Sequence, residues 1–232
     1  MQTIGFASIT ETPDDVVVPE VARIVGDRVR IVERGNLDGL TAAEVDALAP
    51  APGTPGIVAP LKDGTEKLLS HHKIIPRVQT LVDGLVREDG ATMVVVLCGA
   101  DWSQIKTPVP LINPGRVFPA IVTSLATGHR LGVIKPSATQ VEQELARYRG
   151  LGIDAVVTSA TPTGDERLAA AHAAAEQLRD AECDLIWMTC IGMDQTMRDI
   201  VSEVTGKPVL FARTMLARVI AELAGGERGQ AA

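Results

Sequence analysis

The sequence predicts an α/β protein of two pseudo-symmetric halves, each built on a mainly parallel four-stranded sheet covered by helices. Short β-branched runs alternate with amphipathic stretches along the whole chain, the pattern of parallel strands joined by helical crossovers. The most continuous apolar run of the first half, Val94-Val95-Val96-Leu97, has the composition of a central strand buried on both faces. The two halves also resemble each other. Val94-Val95-Val96-Leu97-Cys98-Gly99 matches Leu185-Ile186-Trp187-Met188-Thr189-Cys190-Ile191-Gly192, and Pro110-Leu111-Ile112-Asn113 matches Pro208-Val209-Leu210-Phe211. Such self-similarity is the mark of an internal duplication.

In chain order, residues 3–9, 28–33, 92–98 and 109–112 read as the strands of the first half, with a helical stretch over 65–87. A helix over 116–127 opens the second half, whose strands are 130–135, 155–159, 184–189 and 209–212. Helices over 139–149 and 165–182 lie between them, punctuated by Gly150, Gly152 and Gly164. Residues 35–60, rich in Pro and Gly, read as a surface connection with a short helix over 41–48, where Thr41 and Glu44 form a capping box. The tail 225–232 is expected to fray. The domains are therefore residues 1–115 and 116–232, with the C-terminal helix free to pack back on the first.

Composition narrows the function. The 232 residues are 46% hydrophobic and 22% charged, and no apolar run approaches the roughly 20 residues that span a bilayer, so no membrane partner is expected. Acidic residues at Glu11, Asp14 and Asp15 precede any apolar signal segment, and a cytoplasmic location follows. A net charge of -7 and only 3% aromatic residues argue against nucleic acid as a partner. No phosphate-loop, dinucleotide-binding or His-Glu-x-x-His motif occurs, and the three cysteines form no Cys-x-x-Cys pair. No cofactor and no metal are expected. A homo-oligomer is compatible with the sequence.

Cys98 and Cys190 both fall at the carboxyl end of a strand, where open α/β sheets bind their ligands. A thiol there lies beside the free N–H groups of the next turn or helix, which lower its pKa and favour a thiolate nucleophile or base. One such cysteine is more often a small buried hydrophobe; two at equivalent points of a duplicated unit favour function. If the halves face each other, the thiols flank one cleft. They would then suit removal of a proton from one face of an sp³ carbon and its return to the other. Cys183 begins its strand and reads as structural.

Other strand-end residues rank lower. Ser8 and Thr10, Pro136 and Ser137, and Ser159 and Thr161 have hydroxyls and amides able to bind a carboxylate, or equally to close turns. His72 and Lys73 would add positive charge, or lie on a solvated helix start. Asp101 and Asp194 would orient groups near the thiols or cap following helices.

Leu97-Cys98-Gly99-Ala100-Asp101 and Met188-Thr189-Cys190-Ile191-Gly192, within this duplicated order, resemble the aspartate/glutamate/hydantoin racemase superfamily. Within it, Leu69-Ser70-His71-His72-Lys73, Asn113-Pro114-Gly115-Arg116 and Leu131-Gly132-Val133-Ile134-Lys135-Pro136 resemble AroM-like proteins. The resemblance implies flavodoxin-like halves and a small carboxylate as substrate. It also implies acid/base or nucleophile roles for Cys98 and Cys190, with Gly99, Ala100, Ile191 and Gly192 against the substrate. Gly99-Ala100 departs from the Asn-Thr or Asn-Ser that the racemases usually place after the first cysteine. The leading expectation is a cofactor-independent racemase, epimerase or cis-trans isomerase. A malonate-type decarboxylase and a non-catalytic carboxylate-binding protein are the alternatives.

Overall fold

The computed structural model describes residues 1–54 and 56–224, so the expected fraying of 225–232 lies outside the described residues. Two compact units are present: Met1–Gly115 together with the chain from Leu216 onward, and Arg116–Met215.

In the first unit β1 (Gln2–Ser8), β2 (Val29–Gly35), β5 (Met93–Leu97) and β6 (Leu111–Ile112) form a parallel sheet in the order β2-β1-β5-β6. Every residue of β5 is buried, as its unbroken apolar run requires of a central strand. Helix α3 (His71–Arg87) covers the sheet through Ile74, Val78, Val82 and Leu85, a spacing of three to four residues that aligns them on one face. A short helix α2 (Ala42–Ala47) has the expected capping box, with the Thr41 hydroxyl accepting from the Glu44 amide.

Two features differ from the sequence reading. Residues 65–70 are not helical: Ile57–Pro60 (β3) and Glu66–Leu69 (β4) make an antiparallel hairpin, and the helix starts only after an extended Ser70. The hairpin turn sits on Gly64, at φ 83°, and the Asp63 carboxylate accepts from the Thr65 amide and hydroxyl. That local bonding outweighs the helical periodicity. Between β1 and β2 lies a helix left unassigned above, α1 (Val18–Val25), whose entry is held by Asp14 accepting from the amides of Val16, Val17 and Val18.

In the second unit β7 (Leu131–Lys135), β8 (Ala155–Ser159), β9 (Leu185–Met188) and β10 (Val209–Phe211) are also all parallel, in the order β8-β7-β9-β10. Helices α4 (Pro114–Leu125), α5 (Val141–Gly150), α6 (Arg167–Asp180), α7 (Gln195–Thr205) and α8 (Ala212–Leu223) complete the chain, with α4 and α8 running across the unit boundaries. Among the described residues no helix is long and apolar enough to cross a membrane.

Numbered within each unit, both sheets run second, first, third, fourth, and their registers coincide. Gly5 pairs with Val94 and Val94 with Leu111; Gly132 pairs with Ile186 and Ile186 with Val209. Bonds outside the ladders repeat as well. Thr92 N donates to Thr3 O and Asp184 N to Arg130 O, both at 2.8 Å; Asn36 N donates to Ser8 O at 3.0 Å and Ala160 N to Lys135 O at 2.9 Å. This register makes Cys98 and Cys190 equivalent, each four residues beyond the paired Val94 or Ile186.

The glycines of the first strands admit the covering helices. A Cβ on Gly5 would lie 3.0 Å from Leu85 Cβ and 3.1 Å from Ala91 Cβ; one on Gly132 would meet Ile186 Cδ1 at 2.7 Å, Leu178 Cδ1 at 3.0 Å and Cys183 Cβ at 3.2 Å. Ala91 N donates to Leu85 O and Cys183 N to Leu178 O. Cys183 is thus the counterpart of Ala91, a small side chain packed on a strand glycine, and is 1% exposed. Gly5→Ala meets Cβ atoms that no rotamer change can move, and should lower stability by about 1–3 kcal/mol in urea unfolding. Gly132→Ala meets mainly the rotatable ends of Ile186 and Leu178, so it should cost less than Gly5→Ala; the reverse order would show that the helices do not rest on these glycines.

Candidate active site

The crevice at the carboxyl edge of such a sheet opens where the chain reverses direction of winding, between the first and third strands. In the first unit that edge carries Ser8 at the end of β1 and Cys98 just after β5; in the second it carries Lys135 at the end of β7 and Cys190 just after β9.

Around Cys98 the loop is tightly held. Cys98 is 8% exposed, and the Trp102 indole N–H donates to its carbonyl at 3.3 Å. Asp101 does not cap a helix, because none follows it here. Its Oδ1 accepts from the Ser103 amide at 3.0 Å and from Asn113 Nδ2 at 2.9 Å, tying the loop to the end of β6. A Cβ on Gly115 would overlap the Ala100 carbonyl and come within 2.8 Å of the Asp101 amide, so a glycine is required for the loop to close down on the start of α4. Gly99 is exposed and Ala100 half-buried.

His71, passed over in the sequence in favour of its neighbours, stands edge-on to Trp102 with ring centroids 4.7 Å apart. Burial pushes its pKa below the usual imidazole value, partly offset by the charge and backbone of Asp101, and its Nε2 is buried with no protein partner. Asn36, beyond β2, is fully buried with both side-chain polar atoms unpaired, and Asn113 Oδ1 is likewise buried and unpaired. Buried polar atoms in this state are uncommon and cluster where a ligand or water completes them. His72 is exposed, and Lys73 donates to the carbonyls of Ala47 and Ala49 at 2.9 and 2.8 Å, capping the end of α2.

Around Cys190 the setting is cationic. The Gly192 amide donates to Cys190 Sγ at 3.3 Å, and Lys135 and Arg213 both favour the thiolate. Burial nevertheless dominates and pushes the Cys190 thiol above its usual value, opposite in net sign to the lowering expected from a neighbouring turn. Lys135 is paired with Glu144 at 3.3 Å. Arg213, which the sequence reading did not single out, is 4% exposed and donates through Nε to Ile191 O at 2.7 Å and through a terminal nitrogen to Gly192 O at 2.9 Å. Asp194 caps α7 by accepting from the Met197 amide and pairs with Arg167 at 3.0 Å.

The remaining strand-end hydroxyls make local bonds. Ser8 and Thr10 are joined at 2.9 Å, Ser137 bonds Thr139 at 2.9 Å, and Thr161 donates to Thr163 O at 3.3 Å. Pro136 and Ser159 are half-buried beside them. Among the described residues no three His, Cys, Asp or Glu side chains gather as metal ligands would.

A family model described as "AroM protein" matches residues 4–224. The chain belongs to the AroM family. No curated protein matches this AroM-family chain. Among solved structures it is similar to allantoin racemase from Pseudomonas fluorescens, with 19% identity over 96% of this chain and 90% of that one and a TM-score of 0.57. It is similar to arylmalonate decarboxylase with 14% identity, coverage of 97% and 93% and a TM-score of 0.57. Glutamate racemase from Aquifex pyrophilus gives 18% identity, coverage of 97% and 86% and a TM-score of 0.55. At these identities the likeness is one of fold: this AroM-family chain shares the architecture of these two racemases and the decarboxylase.

A thiol with a raised pKa ionises late. Alkylation of Cys190 by iodoacetamide should therefore keep accelerating past about pH 8.5, where an ordinary thiol begins to level off. Cys183, whose thiol is also pushed up by burial, should stay unlabelled in the folded protein. Peptide mapping across a pH series reads both; a Cys190 rate that levels off below pH 8, or labelling of Cys183 as fast as Cys190, would contradict this account. Gly115→Ala should displace the Ala100–Asp101 backbone and destabilise the first unit by about 3 kcal/mol or less, read by thermal unfolding.

Proposed function

We propose that this protein is a cofactor-independent isomerase, a racemase, epimerase or cis-trans isomerase of a small carboxylate, with Cys98 and Cys190 as its acid and base. The observation that carries the proposal is the equivalence of the two cysteines: each lies just past the third strand of its sheet, in the same ladder register, beside the first strand. Cys98 and Cys190 also pack, the first within the core of its unit and the second against the core of its own, but packing does not call for a thiol at both points, as Ala91 in the place matching Cys183 illustrates. The racemases and the decarboxylase that share the fold support an enzyme of this superfamily.

In the racemase or epimerase reaction one cysteine, as thiolate, takes the proton from the sp³ carbon next to the carboxylate. The other, as thiol, returns a proton to the opposite face. The carbanion's charge spreads into the carboxyl or hydantoin carbonyl, where backbone amides of the strand-end turns at Gly99, Ala100 and Ile191 are the proposed donors, while Gly192, whose amide is held on Cys190 Sγ, lies against the substrate through its backbone. Ser8, Thr10, Pro136, Ser137, Ser159 and Thr161 complete the proposed substrate-binding set at the ends of the neighbouring strands.

A decarboxylase is the second reading, and the chemical difference between the two strand ends favours it: Lys135 and Arg213 accompany Cys190, while Ser8 and Gly115 hold the matching places near Cys98. Solvent deuterium exchange separates the readings, with a panel of amino acids, hydantoins and dicarboxylates offered to wild type and to Cys98→Ser and Cys190→Ser. Serine raises the acid/base pKa by several units at nearly constant size, so each single variant should lose interconversion by about 100-fold or more. Each should still exchange label into one enantiomer only. Full activity in either serine variant would end the two-thiol proposal; loss in just one, with release of carbon dioxide from a malonate, would establish the decarboxylase. Ligand binding without exchange in wild type would leave a binding protein.

A further inference from the structure

We infer that Arg213 is the positioning residue for Cys190, holding the turn after it so that the Gly192 amide faces the sulfur. The inference rests on the reading of Cys190 as an acid/base group, but its test does not need turnover. Arg213 is the second residue of α8, where the partial positive charge of a helix N-terminus disfavours a cation, and it is almost wholly buried. Its position therefore needs compensation, which the structure supplies as two backbone carbonyls, Ile191 O at 2.7 Å and Gly192 O at 2.9 Å.

In a trans peptide the C=O and the following N–H point in opposite directions. Anchoring Ile191 O on the guanidinium therefore turns the Gly192 amide away from it, and that amide reaches Cys190 Sγ at 3.3 Å. Anchoring Gly192 O turns the Met193 amide back toward Cys190, where it donates to the Cys190 carbonyl at 3.3 Å and closes the turn, and it also favours the thiolate. One forked side chain thus sets the direction of two amides.

The other half of the molecule provides an internal comparison. Val94 N donates to Pro110 O as Ile186 N donates to Pro208 O, so counting on from Pro110 and Pro208 makes Gly115 the counterpart of Arg213. Both positions support the loop that follows the cysteine, but Gly115 does so by leaving room for the Ala100 backbone. Gly115 has no side chain with which to direct amides as Arg213 does. Lys135 also acts on Cys190 and is paired with Glu144, while Asp194, paired with Arg167, acts on Arg213.

The test is the pH profile of iodoacetamide labelling at each cysteine in wild type, Arg213→Lys and Arg213→Gln. In Arg213→Gln the Cys190 midpoint should rise by about one pKa unit, so that labelling at pH 8 slows about ten-fold, while the Cys98 profile stays in place. A role confined to packing would change the limiting rate through access and leave the midpoint where it was. Arg213→Lys retains the charge but lacks the fork for two carbonyls, and should move the midpoint by roughly half as much. Continued protection of Cys183 reports that the second unit is folded. An unmoved Cys190 midpoint in folded Arg213→Gln overturns the inference; if that variant exposes Cys183, an unmoved midpoint in Arg213→Lys overturns it instead. Absence of any isomerase activity would overturn the functional proposal and leave this result intact.

Discussion

Because Gly5 and Gly132 have no side chain, Leu85 with Ala91 and Leu178 with Cys183 can come down onto the first strand of each sheet. That close approach brings the connection out of α3, and likewise out of α6, directly onto the start of the third strand. The third strand is then bound to pair in parallel with the first, in the same register in both units. What lies beyond the strand ends follows from this. A chain that must run parallel, be covered by a helix and reverse its winding between the first and third strands opens a crevice at its carboxyl edge, and the cysteines stand there.

Shared geometry has not kept the two edges chemically alike. Near Cys98 the loop is closed by Trp102, Asn113 and His71, whose pKa burial lowers, around the carboxylate of Asp101. Near Cys190 the corresponding places hold Lys135 and Arg213. Burial works against ionisation of Cys190, while the amides and cations work for it. A thiol placed between opposing influences of this kind responds to small changes nearby, such as the arrival of an anionic ligand or the loss of one hydrogen bond.

The elements with strong periodicity were legible in the sequence, among them α6, β5, and the β7 and β8 strands. The self-similarity around Cys98 and Cys190 was also visible, although a match of apolar runs left the register open by one residue. The ladders close that ambiguity. The β3–β4 hairpin was hidden because its strands have four residues each, and Glu66–Leu69 leads without a break into the helical pattern of α3. Helix α1 was missed because Val16-Val17-Val18 has strand-like composition, and only Asp14 reaching across three amides turns it into a helix start. Arg213 carried no sequence signal, and His71 stood inside the motif Leu69-Ser70-His71-His72-Lys73, where the charge of its neighbours drew the attention. An arginine at a helix N-terminus is ordinarily a solvated residue, and its value here depends on carbonyls that only the fold brings to it. Lys73 drew attention by its charge, yet that charge serves the exposed carbonyls at the end of α2.

The match between Cys183 and Ala91 bears on how the molecule tolerates oxidants. Sulfur is attacked as thiolate and only where reagents reach it, and Cys183 offers neither: it is 1% exposed, and burial keeps it protonated. A methyl group fills the same place in the first unit, so nothing in the packing asks for sulfur at that point. Peroxide in the second unit therefore reaches Cys190, the more exposed of its two thiols, before Cys183, and a thiol reductant reverses that oxidation as long as it stops at the sulfenic acid or a disulfide.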